Sequence, residues 1–388
     1  MSMKEIPRLY TTLPTLSGAH CRAVIDFDAL RRNYRVLHER MGGKTCICVL
    51  KADAYGHGAP EAARALALEG CRFFAVSAIE EAIAVREAVE DAEILIFGNL
   101  EASHVNLLLK HRLTATLFSA QEAKELVDEA VRLGGTLSAH VKLDTGMNRL
   151  GFPVCTAEAR RKSLAEIEAL FSLAGLKITG IYSHFATADE PESDGTHTQA
   201  AHFFSITETL GDKGLSLGHR HLCNSAGALR YPEYAADAVR LGLVLYGYLP
   251  DGVEDVSLTP VMRLETSVTH IHTAPPYTGV SYGGVFRPRE PRLIATLGIG
   301  YADGWVRDYT GATVTVHTAK GDFRAPIIGR ICMDQCMLDV TGLPVNRGDR
   351  VTLFGQNPQE LLDLAARAET IPYECLCLIS ARVPRELK

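Results

Sequence analysis

Several apolar runs in the first two-thirds of the chain end on residues that can do chemistry. TCICVL (45–50) is followed at once by Lys51, then by Asp53, Tyr55, Gly56, His57 and Gly58. SAHVKLD (138–144) carries Lys142 and Asp144, and ITGIYSH (178–184) ends on His184. HRHLCNS (219–225) ends on Asn224 and Ser225, and AVRLGLVLYG (238–247) carries Arg240. A lysine at the rim of an apolar interior loses hydration, and neighbouring cations lower its pKa further. Its free amine can then form a Schiff base with a carbonyl or act as a base. A solvated lysine is the ordinary alternative for Lys51 taken alone, but five polar strand ends facing one mouth favour a site.

These residues need a scaffold that brings strand ends together. Eight β-rich runs alternate with helical patterns: 45–50, 72–77, 92–98, 114–119, 138–144, 178–184, 219–225 and 238–247. AIEEAIAVREAVED and AQEAKELVDEAVRLGG are typical of the amphipathic stretches between them. Strand then helix, repeated eight times, predicts an α/β fold, a (β/α)8 barrel whose chemistry sits at the C-terminal strand ends. An open doubly wound sheet is the alternative, but no GxGxxG opens a helix after the first strand. Beyond about residue 250 the pattern becomes short strands joined by Gly, Asp and Pro turns. This predicts a barrel over 1–250 and a mainly β domain over 251–388, joined near GYLPDGVED. NSAG (224–227) and the glycine of RLG (240–242) then fall in the loops where such barrels hold phosphate. Tyr55 can offer its hydroxyl to the same anion. A reactive lysine beside a phosphate cup is the pattern expected for pyridoxal 5'-phosphate.

Composition excludes other classes. The net charge of −6, with both signs interspersed and no basic stripe, argues against nucleic acid. MSMKEIPRLY lacks the apolar centre of a secretory signal, and no apolar run is long enough to span a membrane, so a cytoplasmic location is expected. Cys46/Cys48, Cys332/Cys336 and Cys375/Cys377 form no CxxC pair and read as reduced thiols. His219/His221 and His270/His272 have strand spacing but no matching second pair, so they read as polar or core histidines and no metal is expected.

VLKADAYGHG, HVKLDTGMNRLGF, GIYSHFATADE, NSAGALR, VRLGLVLYG, VSYGG, GIGYADGW, GRICMDQCM and IPYECLCLISARVPR together resemble the alanine racemase family, in order and along nearly the whole chain. The resemblance implies a pyridoxal-phosphate-dependent racemase of L- and D-alanine that supplies D-alanine for peptidoglycan. It makes Lys51 the cofactor-bonding lysine and one of two acid/base groups, and Tyr282 the second, on the opposite face of the substrate. Tyr55, Asn224, Ser225, Tyr373 and the backbone of Gly242 and Leu243 would hold the cofactor. Arg240 would face the pyridine nitrogen, with His184 beside the ring. An arginine stays protonated, so that nitrogen should stay unprotonated and the cofactor a weaker electron sink. Arg149, Met333 and Asp334 would bind substrate. The resemblance also implies a head-to-tail homodimer in which Tyr282, Met333 and Asp334 serve the partner's site.

Lys142 alternates with His140 and Asp144 onto one strand face, which places it inside the barrel if the apolar face meets the helices. With Arg149 close behind, two buried cations would be costly. The resemblance implies carbamylation of Lys142 to an anion; a Lys142–Asp144 ion pair is the alternative. Ala381 stands where the family usually has tyrosine, near the substrate access route, which leaves a broader or serine racemase open. A barrel-type decarboxylase and a non-catalytic cofactor carrier are the remaining alternatives. The decarboxylases use a glycine-rich phosphate loop and an acid at the position of Arg240; the carriers resemble the barrel alone.

Overall fold

The computed structural model describes residues 20–190 and 192–388; the stretch read above for a leader lies outside the described residues. The first described strand is β1 (Cys21–Ile25). The barrel strands follow as β2 (Thr45–Val49), β3 (Phe73–Val76), β4 (Glu93–Ile96), β5 (Thr114–Leu117) and β6 (Leu137–Asp144). After the two-residue β7 (Phe152–Pro153) come β8 (Leu176–Tyr182), β9 (His219–His221) and β10 (Ala238–Leu241). Parallel pairing runs β2-β3-β4-β5-β6-β8-β9-β10, and β10 pairs back to β2, which closes an eight-stranded barrel. All eight expected runs form these strands. β3 is buried at every residue because helices cover its outer face and the barrel interior its inner one. The helices begin where short polar side chains cap them: Ser119 accepts from the Glu122 N–H at 3.2 Å and Thr156 from the Ala159 N–H at 3.2 Å. The helix so started at Ala120–Arg132 turns Ala123, Leu126, Val127 and Ala130 inward, one stripe at helical spacing.

The second compact unit holds β11 (Met262–Ala274), β12 (Arg292–Leu297), β13 (Thr313–Thr318), β14 (Gly321–Ile328), β15 (Cys336–Asp339), β16 (Arg350–Phe354) and β17 (Arg385–Leu387). Its sheet order is β12-β15-β14-β13-β16-β11-β1-β17, with β11 also pairing β12. A single cut at residue 250 therefore does not describe the two units. Residues 20–29, 55–57 and 259–388 form one unit, and residues 30–54 and 58–258 the other. The reason is strand β1, which pairs antiparallel with β11 and parallel with β17. Arg22 fixes that register, meeting Glu265 at 2.8 Å and Glu386 at 2.8 Å. Glu265 is buried, and Arg263 at 2.7 Å adds a second cation to it. A buried carboxylate in the second sheet thus claims an arginine from the start of the chain.

Among the described residues no helix is long and apolar enough to cross a membrane, and no group of three or more His, Cys, Asp or Glu could hold a metal ion.

Candidate active site

Lys51 stands directly past β2, and the chain then does something its residue types do not announce. Ala52, Asp53, Ala54 and Tyr55 have φ of 53, 53, 55 and 55°, and Gly56 follows at 80°. This is a left-handed helical turn built on non-glycine residues, each costing roughly 1–2 kcal/mol against the right-handed form. Such strain persists only where surrounding groups over-determine it. Glu81 Oε1 accepts from the Ala52 N–H at 2.6 Å, and its Oε2 from the Ser77 N–H at 2.9 Å. Asp53 Oδ1 accepts from the Ala59 N–H at 2.8 Å. Beyond the turn, Arg385 Nε donates to the Gly56 carbonyl at 3.0 Å, and His57 Nδ1 lies 3.0 Å from the Tyr55 carbonyl oxygen. Asp53 and His57 are thus supports of the turn that presents Lys51 and Tyr55. Glu81 has no counterpart in the sequence reading, because a glutamate in the first turn of a helix is ordinarily read as a cap.

Arg240 is the centre of the barrel's polar interior. It is 2% exposed and spends its donors on five acceptors. Nη1 donates to His221 Nδ1 at 2.8 Å and to the His221 carbonyl at 3.0 Å. Nη2 donates to the Ser183 carbonyl at 2.7 Å, the Leu222 carbonyl at 2.8 Å and His184 Nδ1 at 3.2 Å. Among the described residues no carboxylate touches it. Burial pulls its pKa down to about 10, with Arg149 adding to the fall. The Tyr182 ring centroid lies 5.4 Å from this guanidinium and 5.5 Å from Lys142 Nζ. A π face opposite two cations recovers part of their lost hydration.

Lys142 does point into the barrel, and it is 6% exposed. Its Nζ donates to the Leu143 carbonyl at 2.6 Å. Burial lowers its pKa to about 7; Arg240 and Arg149 add to the fall, and Asp144 opposes it. The Lys142–Asp144 ion pair does not form. Asp144 Oδ1 instead accepts from the N–H groups of Gly146 and Asn148, both at 3.0 Å. Gly151 is required here, since a Cβ at this φ of 117° would lie 2.6 Å from the Lys142 carbonyl oxygen. His184 is held neutral, well below its usual range, by burial and by Arg240, Arg149, Lys142 and Lys51 in turn. Four cations thus bear on one imidazole while the nearby carboxylate is occupied by backbone. That surplus of positive charge fits a ligand bearing a phosphate and a carboxylate.

Ser225 is buried and accepts from the Gly242 N–H at 2.9 Å, tying the ends of β9 and β10 together. Asn224 caps the helix Ser225–Arg230, with Oδ1 accepting from the Gly227 N–H at 2.9 Å. Gln199 braces the neighbouring strand ends, donating to Thr145 Oγ1 at 3.1 Å and to the His184 carbonyl at 2.9 Å. Tyr182, His140 and His221 also enter the interior without having been assigned a role. A signal existed: Tyr182 shares strand parity with His184, and His140 with Lys142. His140 fills the barrel so tightly that a Cβ on Gly180 would lie 2.4–2.6 Å from three atoms of its ring. Gly180→Ala is therefore expected to lose about 1–3 kcal/mol of stability through overpacking, read as a lower urea midpoint at unchanged slope.

The second unit presents its own group. Tyr282 is 69% exposed, in a turn whose neighbours Ser281, Gly283 and Gly284 have φ of 61, 73 and 52°. Ser281 Oγ donates to the Arg330 carbonyl at 2.6 Å and anchors that turn. Met333 is exposed beside Asp334, which pairs with Arg382 at 2.7 Å; Arg382 also pairs with buried Asp303 at 2.6 Å. Tyr373 is half-exposed, its ring 5.9 Å from that of Tyr55. Ala381 is exposed next to Arg382. The histidine pair His270/His272 is a stacked, exposed pair on β11.

Residues 25–250 match the model of the alanine racemase N-terminal domain, and residues 261–387 that of the alanine racemase C-terminal domain. The chain is 39% identical over 370 residues to alanine racemase 1 of Clostridium acetobutylicum, covering 94% of each. Among solved structures it resembles the alanine racemase of Clostridium difficile, with a TM-score of 0.88, 34% identity and 96% of each chain covered. It also resembles the alanine racemase of Bacillus anthracis with bound L-Ala-P, with a TM-score of 0.83, 32% identity, and 96% and 95% of the two chains covered. With both domain models matched in order and the barrel, the second sheet and the strand-end cations all in place, the chain belongs to the alanine racemase family.

Proposed function

We propose that the protein racemises alanine with pyridoxal 5'-phosphate, using Lys51 and Tyr282 on opposite faces of the substrate. The observation that carries this reading is Arg240, a buried guanidinium with neutral partners and, among the described residues, no carboxylate against it. A decarboxylase of similar barrel would want an acid in that place. Bound pyridoxal phosphate supplies the electron-withdrawing system that stabilises negative charge at the substrate Cα. The chain's residues do the rest. Lys51 would bond to the cofactor and hold or take a proton on one face; Tyr282 would supply or take one on the other. Arg240, held by His184 and His221, would face the cofactor's pyridine nitrogen; Tyr55, Ser225, Tyr373 and the Gly242–Leu243 backbone would hold its phosphate, with Asn224 a further cofactor-binding residue. Arg149 positions the substrate carboxylate or a cofactor oxygen, and Met333 and Asp334 contribute to substrate binding. Tyr282, Met333 and Asp334 serve the site of a second copy in a head-to-tail homodimer. Purified, cofactor-loaded protein should drive L-alanine to zero optical rotation. No loss of rotation overturns the reading, and carbon dioxide released from lysine or ornithine would move the protein to the decarboxylases. Growth of a D-alanine auxotroph expressing this chain tests the physiological part, cytoplasmic supply of D-alanine for peptidoglycan.

Lys142 is proposed to carry a carbamate: its amine adds to carbon dioxide and releases one proton, leaving an anion among cations. Only the neutral amine can add. As pH falls through about 7, where burial has moved this lysine, the amine protonates and the carbamate is lost. Protein equilibrated with 13C-bicarbonate should show one carbonyl resonance above that pH, fading below it and absent from Lys142→Ala. A labelled wild type without that resonance rules the modification out.

A further inference from the structure

We infer that Glu93, at the floor of the barrel, is a positioning residue for Arg240, acting through the imidazoles of His140 and His221 as one directed hydrogen-bond relay. This deepens the proposed function and rests on Arg240 facing the cofactor ring. The four residues climb the barrel. Glu93 is the first residue of β4, His140 lies midway along β6, His221 ends β9, and Arg240 is the third residue of β10. From the top, Arg240 Nη1 is 2.8 Å from His221 Nδ1, His221 Nε2 is 2.9 Å from His140 Nδ1, and His140 Nε2 is 3.4 Å from Glu93 Oε1.

The direction of this chain has no freedom. A guanidinium only donates, so His221 Nδ1 accepts. A neutral imidazole has one N–H, so in His221 it sits on Nε2 and donates to His140 Nδ1. By the same step His140 carries its hydrogen on Nε2 and points it at Glu93, which must accept. Both imidazoles are fully buried, and burial holds both below the usual histidine range, which keeps them neutral. Glu93 Oε1 and His140 Nε2 are both buried, stand 3.4 Å apart as an ion-pair contact and make no hydrogen bond of ordinary geometry, so the bond that closes the relay is the one each has left to make. The carboxylate of Glu93 is therefore the anionic end of the relay that begins at the buried guanidinium.

The backbone is arranged around these rings. Along β6 and β8 the pairing steps from Ala139↔Ile178 to His140↔Gly180, so β8 carries one extra residue opposite His140. A bulge re-aims side chains, and this one sets a glycine where the imidazole lies. Tyr182 stacks on His221 at 4.7 Å with an interplanar angle of 5°, fixing that ring's plane.

Histidine-selective 15N NMR of the cofactor-free wild type reads the tautomers directly. Both His140 and His221, assigned by single His→Gln replacements, should be neutral with hydrogen on Nε2. Hydrogen on Nδ1, or a doubly protonated ring, at either residue overturns the relay. In the loaded enzyme, Glu93→Gln keeps an acceptor but removes the charge. It should leave the tautomers in place, shift the absorption of bound cofactor, and lower kcat roughly tenfold at unchanged KM, the scale of lost supporting partners. Glu93→Leu removes the acceptor and should mix the His140 tautomers. A Glu93→Gln enzyme with wild-type absorption and kcat overturns the relay. A wild type with the stated tautomers that leaves alanine untouched overturns the substrate and keeps the relay.

Discussion

Lys51→Ala is expected to abolish racemisation, a fall of at least ~10^4-fold, the upper end of what one positioned acid or base contributes, because two functions are lost together. The residue is proposed both to bond to the cofactor and to move the proton on one face. These functions separate experimentally. Borohydride should fix one cofactor per chain irreversibly on the wild type, read as a mass increase, and none on Lys51→Ala. A small primary amine added in solution can replace the missing nitrogen but not its placement, so it should return a small part of the activity. The turn makes placement the larger share. Four non-glycine residues in left-handed backbone follow Lys51, and Glu81 clamps the first of them. A lysine on a free loop would gain nothing from such strain; a lysine whose amine must stay at one point does. If Lys51→Ala, matched to wild type in thermal unfolding, still racemises within tenfold, the assignment of Lys51 is wrong.

The barrel was legible because strand spacing and apolar runs are local signals, and all eight runs became strands. The strand-end polar residues were legible for the same reason: parity decides which side chains face inward. Three features were not. Strand β1 joins the second sheet through Arg22 and Glu265, partners 243 residues apart, and no local pattern encodes that pairing. The left-handed turn is written in Ala, Asp, Ala and Tyr, none of which announces positive φ; its cause lies in Glu81 and the other groups that hold it. The relay below Arg240 was visible only as histidines at strand spacing. Their use depends on a bulge and on Gly180, and sequence spacing cannot place a bulge. The alternative offered for Lys142 failed for a related reason. Asp144 lies two residues on, on the same strand face, yet the turn after β6 needs its carboxylate for two N–H groups and so withdraws it from the lysine.

Tyr282→Phe is expected to slow racemisation by roughly 10^2- to 10^4-fold, the loss of one acid/base group, and thermodynamics restricts how that loss is shared. Enantiomers have equal free energy, so the equilibrium constant is one, and kcat/KM must fall by the same factor in both directions whichever face the tyrosine serves. What need not fall is exchange. With Lys51 intact, the enantiomer whose Cα hydrogen faces it should still lose that hydrogen to deuterium in heavy water while keeping its configuration; the other should not. Equal loss of exchange from both enantiomers would exclude the two-face assignment, as would unimpaired racemisation. The residue is exposed in its own chain, so removing one hydroxyl should cost the fold little. That exposure also sharpens the proposed dimer. If Tyr282 completes a second copy's site, Lys51→Ala and Tyr282→Phe chains, each inactive alone, should complement when dissociated and mixed. Random reassociation makes half the dimers mixed. In each mixed dimer one site carries both defects and the other neither, so about a quarter of wild-type activity should return. If each chain instead builds its own site, mixing returns none. The same two variants therefore decide both the face from which Tyr282 acts and the chain it serves.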